Sequence, residues 1–257
     1  MADGRIKGKV YAQCGLHKCM TMYARRAYRR ACRAELRFKS GIRHYGHDIE
    51  AFYTHCTESR IASVSGHALD LDRFEDIKVV RLIRDPRDLL VSAYHYHKRG
   101  AEPWCHTVNS HPHGWDEVRG YVPEHFRSQH SMMSYLDEAS RDDAMRLEYA
   151  FRRHHLTSLR EWPEDDPRIR TYRYEDILGD EEGIFGDIFS FMEFGWPGRA
   201  AGLSYVRRHA SERKAARRDH IRDATSGQWR DVLPQDVIDA MARDFGDVLE
   251  RYGYPER

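Results

Sequence analysis

The chain has 257 residues, 42 basic against 41 acidic, and 40% of them are hydrophobic. That length and apolar content suit one α/β domain spanning 1–257, and a net charge near +1 removes any global case for binding nucleic acid or membranes, so local basic clusters are judged one by one. Five cysteines (Cys14, Cys19, Cys32, Cys56, Cys105) leave no even disulfide framework, and neither a secretory signal nor a membrane-length apolar run is present; a cytoplasmic chain without a membrane span is expected.

Residues 9–13 are predicted as a short strand, followed by the turn CGLHKC and a helix from about Thr21. Tyr23, Ala24, Ala27, Tyr28 and Ala31 recur along that helix at helical spacing. Arg25, Arg26, Arg29, Arg30 and Arg33 fill much of the rest and are expected on a solvated face. Residues 78–83 (KVVRLI) are rich in β-branched side chains and read as a second strand. Asp85 suits an N-cap and Pro86 a first helical position, so a helix is predicted from there to about Lys98. Residues 99–130 are irregular, with Trp104, Trp115, Tyr121 and Phe126 among histidines, and are expected to form an acceptor lid. Residues 131–160 read as mostly helical, 168–172 as a third strand and 183–194 as a helix. Residues 201–227 read as basic and turn-rich, and 237–252 as a final amphipathic helix.

Strands alternating with helices predict a three-layer α/β fold, a central parallel sheet with helices on both faces. Ligands of such folds bind beyond the carboxyl ends of the strands, where CGLHKCMT and RDPRD fall. A helix start presents unpaired N–H groups and the positive end of its dipole, which suits an anion. Lys18 adds a mobile charge there and Thr21 a hydroxyl. The Walker A pattern is absent, and spacing alone leaves an ordinary strand–helix connection open.

HKCMTMY, residues 17–23, resembles the PKSGTTW loop of cytosolic and bacterial sulfotransferases, which holds the 5′-phosphosulfate of 3′-phosphoadenosine-5′-phosphosulfate (PAPS). The resemblance implies a P-loop-like fold and a phosphosulfate-binding segment of Lys18, Cys19, Met20, Thr21, Met22 and Tyr23, with Lys18 at the bridging oxygen and Tyr23 near the adenine. Met20 stands where the family has glycine, and Met22 replaces its second threonine. RDPRDLLVSAYHYH, from Arg84, resembles the family segment whose arginine and later serine, here Arg84 and Ser92, hold the 3′-phosphate. RYEDIL places Tyr174 on the tyrosine that approaches the adenine, and HIRDATSGQWRD places Arg222 on the arginine that closes over the 3′-phosphate. In that loop Asp223 and Ala224 replace the family's lysine and glycine.

The resemblance implies sulfuryl transfer from PAPS to a hydroxyl or amine of a small-molecule, sugar or lipid acceptor, by in-line attack, without a metal and without nucleic acid as partner. An alcohol must lose its proton as the bond forms, and a neutral histidine can take it. His67, in SGHALD ahead of the RDPRD strand, matches the family's histidine in place, and is expected to act with Lys18 in catalysis. His47, His55, Glu50, Glu58 and Asp70 are the alternatives to it. Three other readings compete: a P-loop nucleotide kinase, a non-catalytic nucleotide-binding module, and a zinc protein using Cys105, His106, His111 and His113 with His95 and His97.

Overall fold

The computed structural model describes residues 4–16, 18–35, 41–108, 130–210 and 226–254. The chain forms two compact units, Met1–Arg84 with Pro163–Thr225, and Asp85–Trp162 with Ser226–Arg257. Among the described residues no helix is long and apolar enough to cross a membrane.

The first unit is built on five parallel strands in the order β2–β3–β1–β4–β5. These are β1 (Ile6–Gly15), β2 (Ile42–His44), β3 (Ile61–Ser65), β4 (Phe74–Ile83) and β5 (Ile169–Arg173). Gln13 pairs in register with Ser63, Ala12 with Val79, and Val79 with Ile169. Val79, Val80, Arg81, Leu82 and Ile83 of β4 are all buried. Such an unbroken run, rather than alternation, is the mark of a strand covered on both faces. The helices around this sheet are α1 (Thr21–Ala34), α2 (Ile49–His55), α6 (Tyr174–Gly179), α7 (Glu181–Phe191) and α8 (Trp196–Arg208).

Helix α1 buries Ala24, Ala27, Tyr28 and Ala31 of the stripe its spacing predicted, together with Cys32, while Tyr23 is half-buried. Helix α8 lies antiparallel beside it. The Tyr23 hydroxyl at the start of α1 lies 3.3 Å from the Val206 carbonyl oxygen, while Glu35 past its end accepts the Gly195 N–H (2.5 Å). The sequence suggested turn-rich chain from residue 201, but α8 is helical through Arg208. The reason is packing: a Cβ on Gly202 would run into the Phe189 ring. The glycine that reads as a helix breaker is there a close-approach position.

The second unit is helical. It holds α3 (Pro86–Lys98), α4 (Met132–Glu138), α5 (Arg141–Thr157), α9 (Trp229–Val232) and α10 (Gln235–Arg251). Asp85 caps α3, its side chain accepting the Arg87 N–H, and Pro86 occupies the first turn as predicted. Helices α5 and α10 are tied by Arg146–Asp236 (2.7 Å) and Tyr149–Asp244 (2.7 Å), and Arg160, just past α5, adds a pair with Asp247 (2.6 Å). Trp104 is buried and stacks on Phe151 at 5.3 Å. The expectation that it lines an acceptor lid is thereby corrected, since it is part of this unit's core. Trp115, Tyr121 and Phe126 lie outside the described residues.

Candidate active site

The carboxyl ends of the five strands collect the candidate residues of the first unit. Strand β1 ends at Gly15, where a Cβ would come within 2.7 Å of the Leu82 carbonyl; only glycine lets β1 and β4 close up there. Its carbonyl accepts the Gly66 N–H (3.1 Å), tying the turn after β1 to the loop after β3. Ser65 donates its N–H to the Gly46 carbonyl (2.8 Å), which adds the loop after β2. Three loops carrying Lys18, His47 and His67 therefore meet along one edge of the sheet.

The turn after β1 is tight. Lys18 and Met20 both have left-handed backbone, φ 67° and φ 57°. Met20 is the N-cap of α1 yet supplies no side-chain cap, and the first turn of α1 contains no acidic residue. An uncapped helix start without a carboxylate keeps its N–H groups and dipole available to an anion. The hydroxyl of Thr21 is buried and has no hydrogen-bond partner among the described residues. Cys19 is buried, and Met22 points outward, 57% exposed. Tyr23 packs edge-on to Phe185 (5.5 Å) and donates to Glu181 (2.8 Å); burial, then that carboxylate, drives its phenol far above the ordinary range.

Strand β4 delivers Arg84 and β5 delivers Tyr174. The Arg84 guanidinium lies 4.4 Å from the centre of the Tyr174 ring. Both are buried, and Arg84 Nε has no hydrogen-bond partner among the described residues. Burial pushes the Tyr174 phenol up, opposed by the Arg84 charge. A buried guanidinium held on an aromatic face with an unused N–H is half of an oxyanion site, since the planar fork suits bidentate contact.

His67 is half-buried, with Nε2 2.7 Å from the His47 carbonyl oxygen. That oxygen can only accept, so Nε2 carries the proton and the basic lone pair is on Nδ1. His55 and Glu58 instead pair with each other (2.6 Å) just before β3 begins, at the amino end of that strand. Asp70 caps the single helical turn Leu71–Arg73 through the Asp72 N–H.

In the second unit Ser92 is half-buried in the second turn of α3. The RDPRD segment also does something its sequence did not announce. Arg87 grips Asp85 through two nitrogens (2.9 and 2.8 Å) and covers the Trp229 ring at 3.8 Å. Asp88 accepts the N–H groups of Gly227 (2.5 Å) and Trp229 (3.0 Å). The GQW segment is thus fixed to the start of α3. Asp88 sits three residues past the N-cap, where a carboxylate usually serves its own helix, so nothing local named a partner 139 residues away. Arg222 lies outside the described residues, as do His111 and His113. Among the described residues no group of three or more His, Cys, Asp or Glu side chains could hold a metal ion.

Fold and site together define a parallel α/β protein with a cationic, uncapped helix start at its strand ends. Residues 67–253, more than half of the chain, match the sulfotransferase domain family, and the chain belongs to that family of sulfuryl-transferring enzymes. The match begins at His67 and so leaves out the turn that holds Lys18. Mouse sulfotransferase SULT7A1, solved in complex with PAP, is similar in fold at 13% identity, TM-score 0.55, over 96% of this chain and 86% of that one. Retinol dehydratase, solved with retinol and PAP, is similar at 14% identity, TM-score 0.50, over 94% of this chain and 81% of that one. No curated protein matches the chain.

Proposed function

We propose that the chain binds PAPS and transfers its sulfuryl group to an acceptor hydroxyl or amine, with Lys18 and the start of α1 on the phosphosulfate and Arg84 on the 3′-phosphate. The observation that carries this reading is that two of the buried polar groups without a hydrogen-bond partner among the described residues, the Thr21 hydroxyl and Arg84 Nε, sit at neighbouring strand ends of one sheet edge. Each would gain a partner from a phosphate or sulfate oxygen, and leaving such groups unmet costs free energy. Tyr174 and Tyr23 flank these positions and are the candidates for the adenine side. Ser92 and Arg222 join the 3′-phosphate contacts on the sequence resemblance.

In this reading the Lys18 ammonium and the N–H groups of α1 stabilise charge on the departing phosphate. His67 takes the acceptor's proton at Nδ1 while the His47 carbonyl holds its ring through Nε2–H. His47 is then an orienting residue through its backbone, and His55 and Glu58, at the amino end of β3, are not the base. The acceptor is a small molecule, a sugar or a lipid. The test is transfer from labelled PAPS to a panel of such acceptors, run with wild type, Lys18→Met, His67→Ala and His55→Ala. The expected result is wild-type activity in His55→Ala, loss of about 10²–10⁴-fold in His67→Ala with nucleotide binding kept, and a large rate loss in Lys18→Met. Binding of ATP in preference to the 3′-phosphorylated nucleotide would instead support the kinase reading.

A further inference from the structure

Helix α1 has a second face that the site does not use. Arg26, Arg29, Arg30 and Arg33 are all exposed and stand at i, i+3, i+4 and i+7, which places them in one row. Met22 continues the row by one turn toward the helix start, and the half-buried Arg25 sends a nitrogen to its sulfur (3.5 Å). Among the described residues none of these four arginines has a carboxylate partner, and α1 carries no acidic residue. Other surface arginines do pair with a carboxylate, as in Arg146 with Asp236, Arg160 with Asp247 and Arg173 with Asp176. Glu35, just past the end of α1, is engaged by Arg60 (3.8 Å) and the Gly195 N–H.

Like charges at these spacings destabilise a helix, and no acid relieves them here. A chain with a net charge near +1 has therefore concentrated unpaired charge on one helix face. The apolar surface tells the same story. Met22 (57% exposed) and Trp196 (81% exposed) are two of the three exposed large hydrophobic residues among those described. Both lie on the α1–α8 pair, Met22 at the start of α1, and Trp196 next to Gly195, whose N–H the Glu35 carboxylate holds at the far end. A soluble polyanion would engage the arginines but leave these side chains in water. A lipid surface rewards both, since guanidinium forks bind headgroup phosphates and Trp prefers the interface.

We propose that this face of the first unit docks on an anionic lipid bilayer, with the α1 arginines on headgroup phosphates and Met22 and Trp196 entering the interfacial layer. The row from Met22 to Arg33 is about 16 Å long at the helical rise, enough to lie flat across several headgroups. The contact is peripheral and independent of sulfuryl transfer.

The test reads binding and not turnover. The full chain is sedimented with vesicles of phosphatidylcholine alone and of phosphatidylcholine mixed with phosphatidylglycerol, at low and high salt. The expected result is association with the mixed vesicles, weakened by salt, and little with the neutral ones. The triple variant Arg26→Gln, Arg30→Gln, Arg33→Gln should bind about a hundredfold more weakly, near fivefold per arginine. The single Arg30→Gln variant, expected to lose about fivefold, serves should the triple one fail to fold. Trp196→Ser should remove the binding that survives high salt. Equal binding to both vesicle types, no binding, or unchanged binding by the arginine variants would overturn the proposal. Full competition by inorganic phosphate would make this a discrete anion site, and tighter binding of a single-stranded DNA oligonucleotide would make it a polyanion surface; either result also overturns it.

Discussion

The guanidinium of Arg84 rests 4.4 Å from the centre of the Tyr174 ring, pinning the charge at the end of β4 to the first residue of the helix that follows β5. The ring fixes the arginine without using its N–H groups, so the fork stays available to an oxyanion. Arg84→Ala is expected to weaken binding of the 3′-phosphorylated nucleotide by about 2–3 kcal/mol, the scale of a charged hydrogen bond. Binding of the analogue without that phosphate should scarcely change. Titration calorimetry with both nucleotides checks this, and equal losses would remove Arg84 from the 3′-phosphate.

Met20 holds a left-handed backbone at the N-cap of α1, where the resembled loop has glycine. A side chain in that region costs about 1–2 kcal/mol. Met20→Gly is therefore expected to raise stability by about 1 kcal/mol, and Met20→Val, branched at Cβ, to lower it. Thermal melts of the three proteins without ligand read the ordering directly.

His97 is fully buried between Glu148, which accepts the Nδ1–H (2.6 Å), and Arg152, which donates to Nε2 (3.1 Å). Arginine has no lone pair to offer, so Nε2 is unprotonated and the ring is neutral. Burial holds the His97 pKa below its ordinary 6.5, although Glu148 opposes the shift. The native state thus binds fewer protons than the unfolded chain in acid. The stabilisation is present above pH 6.5 and is lost as pH falls below it. His44, pushed down to about 4 by burial, adds to the same slope. Denaturant unfolding from pH 8 to pH 5 should show falling stability, and His97→Gln should flatten part of that fall.

Trp104 packs flat against Phe151 and edge-on to His97 (4.9 Å), and donates Nε1–H to Glu102 (2.5 Å). Trp104→Ala is expected to destabilise the protein by about 3–5 kcal/mol, the range for emptying a buried aromatic site. Acceptor KM, measured below the new melting point, should change little. A wild-type melting curve with a raised KM would return this residue to the acceptor site.

Short-range interactions explain what the sequence revealed. Asp85 and Pro86 fix the start of α3 within one turn, the apolar spacing of Tyr23 to Ala31 fixes the buried side of α1, and the β-branched run of β4 fixes a doubly covered strand. The sequence did not mark strands β2 and β3, which are held by pairing alone, β3 beside β1 and the three-residue β2 beside β3. Lys18, Thr21, Arg84 and Tyr174 were legible as candidates through motif resemblance, but their convergence depends on strand order. Tertiary structure alone decided that Arg84 faces Tyr174 and that Arg87, not Arg84, holds Asp85. It likewise joined Asp88 to Gly227 and turned His67 onto the His47 carbonyl. Most of these partners lie tens to more than a hundred residues apart, and only the paired strands and the packed helices bring them into contact.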